Sequence, residues 1–170
     1  MIDTLAVVGA TGAVGRIIVE LLIARDFPAR RIKLLASARS AGRKVEVAGR
    51  AFEVEELTPE SFADVDIAIG STPDEVAAEF VPWAVERGTV VVDESAFYRM
   101  DPTVPLVIPE VNADALAGHR GIVASPNCST TQMVVVMKPL HDAARVRRVI
   151  VSTYQAVSGA GLSATTELRD

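Results

Sequence analysis

The hydrophobic positions of this chain form short apolar runs, separated by longer segments in which apolar residues recur at helical spacing. The apolar runs, bounded by turn residues and typical of buried strands, cover residues 4–10, 32–37, 65–71, 89–93 and 121–125. The segments with helical spacing cover residues 13–25 and 72–88. Strands that alternate with helices in this way predict an α/β fold of the doubly wound, Rossmann type, with a mostly parallel sheet.

Local signals refine this prediction at the hairpin and at the second helix. Residues 44–57 alternate apolar and polar positions on both sides of Ala48-Gly49, which predicts a β-hairpin. Thr72 is predicted to cap the helix of residues 72–88 in a capping box with Glu75. Within that helix Pro82 should introduce a kink or a break, and Gly88 should end it.

The last 40-odd residues of the sequence begin a second unit. Residues 129–144 contain β-branched residues but are too long for a usual strand, so we predict a buried helix. Residues 146–159 are predicted to form a long strand that runs into a glycine turn. We therefore expect a dinucleotide-binding domain over residues 1–127 and the start of a second, α+β domain over residues 128–170.

Composition narrows the class of protein. The chain has 170 residues and a net charge of −5, and this mild acidity argues against nucleic acid as a main partner. A single cysteine excludes an intramolecular disulfide and fits a reducing cytoplasm. The sequence shows neither a cleavable signal nor an apolar run long enough for a membrane span. We expect a cytoplasmic protein that does not associate with membranes, and no metal site is predicted.

The sequence GATGAVG at residues 9–15 lies between the first strand and the first helix. Gly9 would allow a tight turn, Gly12 would let a pyrophosphate approach the backbone, and Gly15 would let the helix pack closely on the strand. The helix N-terminus would supply N–H groups and positive potential for the phosphates. A dinucleotide site is favoured over a purely structural turn because the pattern has its strand–turn–helix context.

The residues after the second strand indicate which dinucleotide would bind. NAD-binding folds usually place a carboxylate there for the ribose hydroxyls, but this strand is followed by Ser37, Arg39 and Ser40. Arg39 could bind a 2′-phosphate between the two serines, which favours NADP over NAD. The alternative is a solvated basic loop, since residues 25–44 hold seven of the 17 basic residues.

The only cysteine, Cys128, lies between Asn127 and Ser129 at the start of the helix predicted near the end of the chain. A thiol at a helix N-terminus feels the helix dipole and nearby N–H groups, which favour the reactive thiolate. The same N–H groups could stabilise the oxyanion that forms when a thiolate attacks a carbonyl. From the residues alone, a nucleophile and an inert core cysteine both remain possible.

Five motifs, in order, together resemble the aspartate-β-semialdehyde dehydrogenase family along essentially the whole chain: GATGAVG, LLASARSAG, FYRMDPTVPLVIPEVN, SPNCSTTQMVVVMKPLHDAA and IVSTYQAVSGAG. The resemblance implies an enzyme that makes aspartate semialdehyde from aspartyl phosphate with NADPH, in the biosynthesis of lysine, threonine, methionine and isoleucine. It also implies a homodimer of the full-length protein, and a second domain that serves catalysis and dimerisation.

The resemblance assigns roles to individual residues. Cys128 corresponds to the nucleophile that forms a thioacyl enzyme, and Gln155 to the residue that positions the acyl intermediate. Arg99 and Asn127 correspond to the phosphate-binding pair. The positions that correspond to the pyrophosphate loop are Thr11, Gly12, Ala13 and Val14, and those under the nicotinamide are Ser158 and Gly159. The nicotinamide-side loop STPDEV departs from the family pattern, but the hydroxyl groups of Ser71 and Thr72 could still contact the cofactor.

The sequence also departs from the family pattern. Family members are longer, and their acid/base histidine and carboxylate-binding arginine lie in the part without a counterpart here. His119 and His141 do not match that histidine, so we expect structural or surface roles for both. Glu94 stands where the family commonly has asparagine, near the expected phosphate. The alternatives are an N-acetyl-glutamyl-phosphate reductase, which PNCST argues against, and a non-catalytic NADP-binding module.

Overall fold

The computed structural model describes residues 2–169, apart from the side chains of residues 162 and 163. Its centre is a seven-stranded sheet of order β3-β4-β2-β1-β5-β6-β7, in which all neighbours are parallel except β3 and β4. The strands are β1 Ile2–Val8, β2 Ala29–Ala36, β3 Lys44–Val47, β4 Arg50–Glu56, β5 Ile67–Gly70, β6 Val90–Asp93 and β7 Ile122–Ala124. The predicted α/β fold with a mostly parallel sheet is confirmed.

Helices connect the strands and cover the sheet. The α-helices are α1 Ala13–Ala24, α2 Asp74–Glu86, α3 Pro109–Asn112, α4 Cys128–Ala144 and α5 Leu162–Arg169. Short 3₁₀ turns cover Ala38–Ser40, Pro59–Phe62, Ala113–Gly118 and Val157–Ala160. In the part of the chain from residue 2 to residue 169, none of the helices combines the length and apolarity that a membrane crossing requires.

Each face of the sheet has its own core, because successive strand side chains point to opposite faces. In β1, Leu5 and Val7 are buried in one cluster with Val19 of α1. Val8 is buried in the other cluster with Phe80 of α2, whose ring stacks on that of Phe62 at 5.9 Å between centroids. Because both faces of the sheet are covered, the polar loops lie at the ends of the strands.

The carboxyl ends of the central strands form the crevice where a doubly wound fold binds its ligand. The chain leaves β1 toward β2 on one side and later returns to β5 on the other, so the strand order reverses at β1. Backbone hydrogen bonds join successive strand ends: Ser71 N–H donates to Val8, Glu94 N–H to Gly70, and Ser125 N–H to Asp93, at 2.8–3.0 Å. These bonds fix the loops after β1, β5, β6 and β7 beside one another.

Several local predictions are confirmed. The hairpin turn consists of Ala48 and Gly49, both with positive φ, between the antiparallel strands β3 and β4. Residues 129–144 lie in the helix α4, as predicted, but α4 has no buried residue, so the prediction that this helix is buried was wrong. Gly88, with φ +83°, follows the end of α2, and its N–H donates to the Val85 carbonyl. Pro82 does not divide α2, which continues through it.

The predicted strand over residues 146–159 was wrong. Residues 145–156 have no regular secondary structure and are largely exposed, and Gly159 lies in the turn Val157–Ala160. The β-branched residues in this stretch favour a strand, but a strand needs a neighbour for its backbone hydrogen bonds. Among the described residues, no strand pairs with this segment.

Candidate functional site

The glycine loop joins β1 to α1 at the reversal of strand order. A Cβ atom added to Gly9, which has φ +80°, would lie 2.2 Å from the Ser71 carbonyl oxygen, and one added to Gly15 would lie 2.3 Å from the Gly9 oxygen. Gly9 and Gly15 are therefore required by packing. A Cβ added to Gly12 would approach only the Gly9 oxygen, at 3.2 Å, so the outer side of Gly12 is open. A ligand can approach the backbone there.

The first turn of α1 offers N–H groups to that ligand. The first helical hydrogen bond runs from the Arg16 N–H to the Gly12 carbonyl, at 3.1 Å. The N–H groups of Ala13, Val14 and Gly15 precede it and have no carbonyl within the helix to bind. Thr11, Ala13 and Val14 are exposed. Together with the helix dipole, this arrangement fits the pyrophosphate of a dinucleotide.

The loop after β5 corrects the predicted capping box. Helix α2 begins at Asp74 without a side-chain cap, and Thr72 does not bind its N-terminus. The Thr72 methyl group instead lies within 3.2 Å of the Cβ position built on Gly9, so this side chain packs on the glycine loop. Its hydroxyl oxygen is buried and has no hydrogen-bond partner among residues 2–169. An orphaned hydroxyl beside the glycine loop fits a site that a polar cofactor completes.

The three residues predicted to select NADP lie around the turn that follows β2. The turn is closed by a hydrogen bond of 2.8 Å from the Ser40 N–H to the Ser37 carbonyl. Ser37 and Arg39 are exposed, whereas the Ser40 side chain is buried. Ser37 and Arg39 can therefore meet a ligand directly, and Ser40 shapes the turn that presents them.

Arg99 ties the loop after β6 to the loop after β7. Its Nε donates to the Ser125 carbonyl at 2.9 Å, and its Nη2 donates to the Glu94 carbonyl at 2.7 Å. A guanidinium carries five N–H donors. Two carbonyls hold it in place, and its remaining N–H groups can bind an oxyanion, because no carboxylate forms an ion pair with it among residues 2–169.

Two adjacent carboxyls lie at the end of β6. Asp93 is buried, and burial raises its pKa. Hydrogen bonds from the Ser95 hydroxyl, at 2.5 Å, and from the Ser95 N–H lower this pKa but do not offset burial. Burial also raises the pKa of Glu94, against a hydrogen bond with the Ser71 side chain. The site therefore contains two carboxyls that are harder to ionise than usual, one of them directly linked to the loop after β5.

Asp74 and Ser95 are site residues that our sequence reasoning missed. The Asp74 carboxylate accepts a hydrogen bond of 2.8 Å from the Ala96 N–H, which ties the loop after β6 to the start of α2. The Ser95 hydroxyl bonds to Asp93 and also accepts from the Phe97 N–H at 3.2 Å. For Ser95 a signal was available in the sequence, because it lies two residues after Asp93, which ends a buried strand.

Cys128 begins α4 and is exposed, which excludes the alternative of a cysteine buried in the core. Asn127 is the N-cap: its side-chain oxygen accepts from the Ser129 N–H at 3.0 Å and from the Ser129 hydroxyl at 2.7 Å. The Cys128 sulfur lies 3.9 Å from the same oxygen. The thiol therefore lies at a helix N-terminus, three residues after Ser125, whose carbonyl binds Arg99.

The predicted site residues near the end of the chain form no hydrogen bond, within residues 2–169, with the loops at the carboxyl ends of the strands. These residues are Gln155, Ser158 and Gly159, and all three are exposed. Both histidines are exposed, and His119 accepts a hydrogen bond from the Gly121 N–H at 3.1 Å, which agrees with a structural role. In the described part of the chain, no cluster of His, Cys, Asp and Glu could hold a metal ion.

Two family descriptions match the chain. Residues 4–119 match the NAD-binding domain of semialdehyde dehydrogenases, and residues 137–170 match the semialdehyde dehydrogenase dimerisation domain. Residues 4–119 contain the glycine loop, the turn after β2 and Arg99. The second match begins inside α4, after Cys128, so the boundary at residue 127 remains a prediction.

Individual relatives agree with these matches. The chain is 50% identical to a curated aspartate-semialdehyde dehydrogenase of Bacillus subtilis over 96% of its own length and 47% of the relative, and 47% identical to one of Aquifex aeolicus. A crystal structure of Vibrio cholerae aspartate semialdehyde dehydrogenase II, complexed with ASA, covers 99% of the chain at 42% identity with a TM-score of 0.93. The chain spans about half the length of these relatives. It belongs to the semialdehyde dehydrogenase family.

Proposed function

We propose that this chain carries the cofactor-binding part and the nucleophile of an NADP-dependent aspartate-semialdehyde dehydrogenase. The reaction would interconvert aspartyl phosphate with aspartate semialdehyde and phosphate. The observation that carries the proposal is the exposed Cys128 thiol at the start of α4. It lies at the carboxyl ends of the parallel strands, as do the glycine loop and Arg99. The relatives of Bacillus subtilis and Aquifex aeolicus are both named for this activity.

The glycine loop and the turn after β2 would hold NADP. Thr11, Gly12, Ala13 and Val14 would surround the pyrophosphate at the start of α1, and Ser37 and Arg39 would bind the 2′-phosphate. Ser71 and Thr72 would contact the nicotinamide half, with Ser158 and Gly159 brought beside it. A structure of the Candida albicans enzyme with NADP covers 86% of this chain at 28% identity and a TM-score of 0.73. When bound in its reduced form, NADPH would supply the hydride that reduces the acyl group.

The chain's own residues would handle the acyl and phosphate groups. The Cys128 sulfur would attack the carbonyl carbon of aspartyl phosphate, forming a C–S bond while the C–O bond to phosphate breaks. Arg99 and Asn127 would bind the leaving phosphate, which departs with the electron pair of that bond. The N–H groups at the start of α4 would stabilise the oxyanion, and Gln155 would position the thioester.

The activity itself tests the proposal. Purified protein is expected to reduce NADP with aspartate semialdehyde beyond one equivalent only when inorganic phosphate is added, because phosphate must release the thioester from Cys128. NADPH formation is followed by its absorbance, with and without phosphate. Arsenate, which resembles phosphate, should substitute for it. Reduction of NADP at the same rate without either anion would contradict the proposal.

Arg39 is expected to select NADP over NAD. Replacing Arg39 by alanine removes a charge-assisted hydrogen bond to the 2′-phosphate, so the Kd for NADPH should rise about 10- to 100-fold while that for NADH stays unchanged. Fluorescence titration measures both constants. Arg50→Ala is the matched control, since this exposed arginine begins β4 at the opposite end of the parallel strands. An Arg39→Ala variant with unchanged NADPH affinity would refute the assignment.

We further infer that the whole protein is a cytoplasmic homodimer. Helix α4 has no buried residue, and the apolar side chains of Val136 and Leu140 are exposed, as are those of Ile150 and Val151. Exposed apolar patches of this kind mark interaction surfaces. The match of residues 137–170 to a dimerisation domain supports a second copy as the partner.

A further inference from the structure

The side-chain amide of Asn127 is held by its oxygen alone. That oxygen accepts hydrogen bonds from the Ser129 N–H at 3.0 Å and from the Ser129 hydroxyl at 2.7 Å. The amide nitrogen, Nδ2, has no hydrogen-bond partner in the described part of the chain, and the side chain is exposed. The two N–H groups of Nδ2 are therefore available to a ligand.

Ser129 determines which end of this amide faces the helix. A backbone N–H can only donate, so a flipped amide would place Nδ2 against the Ser129 N–H and lose that bond. The Ser129 hydroxyl adds a second bond to the same oxygen, which limits the rotation of an exposed side chain. The turn itself is fixed by a hydrogen bond of 2.9 Å from the Thr131 N–H to the Asn127 carbonyl. The amide oxygen is thus directed at the start of α4, and Nδ2 is directed away from it.

The Asn127 amide and the Arg99 guanidinium lie at the two ends of a short link between β7 and α4. The Ser125 carbonyl accepts from Arg99 Nε at 2.9 Å, and Pro126 limits the backbone conformations between Ser125 and Asn127. Arg99 contributes a positive charge, and Asn127 contributes two neutral donors. This combination suits a phosphate anion.

We propose that Ser129 is a positioning residue for phosphate, whose hydroxyl holds the Asn127 amide with Nδ2 turned outward. Both N–H groups of Nδ2 then meet the phosphate oxygen atoms without a prior rotation of the side chain. A donor that is already held in its bound orientation loses less conformational freedom on binding. The hydrogen of the Ser129 hydroxyl is donated to Asn127, so Ser129 acts through that residue. The inference rests on the proposed function for the placement of phosphate at Arg99 and Asn127.

Inorganic phosphate is the probe, and its Kd is measured by NMR titration of the backbone amides of residues 125–131. Ser129→Ala removes the hydroxyl and keeps the N–H, whereas Ser129→Thr keeps both. Thr131→Ala is the matched control, because the Thr131 hydroxyl donates to the backbone carbonyl of Asn127, at 3.2 Å, and not to its amide. Urea unfolding followed by circular dichroism compares the stability of the variants.

Ser129→Ala is expected to raise the phosphate Kd about fivefold, the effect of one lost hydrogen bond, and Ser129→Thr should restore the wild-type value. Thr131→Ala should leave the Kd unchanged, although it removes a hydrogen bond from the same turn. In phosphate-dependent NADP reduction, Ser129→Ala should raise the KM for phosphate by the same factor and leave kcat unchanged. If Ser129 served only the stability of the turn, Ser129→Ala and Thr131→Ala would change the Kd alike.

Asn127→Asp tests the phosphate site itself, because it keeps an oxygen that can cap α4, removes Nδ2 and adds a negative charge. If Asn127→Asp weakens phosphate binding but Ser129→Ala does not, the positioning role is wrong and the phosphate site of the proposed function stands. Equal increases of the Kd in Ser129→Ala and Thr131→Ala would also overturn the positioning role. If the wild-type amides do not respond to phosphate, or Asn127→Asp leaves the Kd unchanged, the phosphate site is misplaced and fails together with the inference.

Discussion

Gly9→Ala is expected to destabilise the fold by about 3–5 kcal/mol, the sum of a left-handed backbone penalty and a steric overlap. Gly9 has φ +80°, which a Cβ atom disfavours, and that Cβ would lie 2.2 Å from the Ser71 carbonyl oxygen. The obstacle is backbone, so no side-chain rotation relieves it. Because β1 and β5 are central strands, separating them to relieve the overlap would disturb both cores. Urea unfolding followed by circular dichroism measures the effect.

Gly49→Ala is the matched control for this prediction. Gly49 also has positive φ, at +73°, but a Cβ there meets no atom within 4 Å, so only the backbone penalty of about 1 kcal/mol remains. The difference between the two variants isolates the close approach of the glycine loop to Ser71. Equal losses of unfolding free energy would show that the packing argument is wrong. Gly12→Ala should cost less stability than Gly9→Ala and mainly weaken NADPH binding.

Cys128→Ala is expected to lower kcat/KM for phosphate-dependent NADP reduction by at least about 10⁴-fold, the scale seen when a catalytic nucleophile is removed. No other cysteine exists in the chain to replace it. The thiol is exposed, so the variant should change the unfolding free energy by no more than about 0.5 kcal/mol. Steady-state kinetics and urea unfolding measure the two effects on the same preparations.

Cys128→Ser provides the stringent comparison, since it keeps the shape of the side chain and substitutes a poor nucleophile for a good one. It should lose activity nearly as completely as Cys128→Ala. Ser129→Ala removes one of the two hydrogen bonds to Asn127 and should cost only a few-fold in rate. Activity retained in Cys128→Ser, or lost equally in Ser129→Ala, would argue that this segment matters for its shape and that its thiol does no chemistry.

The sequence predicted the elements whose signals are local. Gly15 is explained by its close approach to Gly9 within the same seven-residue loop, and the Ala48-Gly49 turn is determined by its own backbone. Cys128 was found because a helix N-terminus and a polar cap can be recognised from adjacent residues. In each case the residues that determine the structure are neighbours in the sequence.

The incorrect and missing predictions concern residues whose partners are distant in the sequence. Thr72 has the spacing of a helix cap, but packing against the glycine loop about 60 residues earlier determines its position. The strand predicted from residue 146 depends on a neighbouring strand that the described residues do not provide. Asp74 binds the Ala96 N–H, a contact across 22 positions that no local pattern reveals.

The most direct test of the account is to identify the acyl group on the thiol by mass spectrometry. Protein is incubated with aspartate semialdehyde and NADP, but without phosphate, and is then digested at low pH. The mass of the peptide that contains Cys128 is measured. The account predicts one aspartyl group on Cys128, formed together with one equivalent of NADPH and released when phosphate is added. NADPH formation that leaves Cys128 unmodified, or an aspartyl group that phosphate does not release, would contradict it.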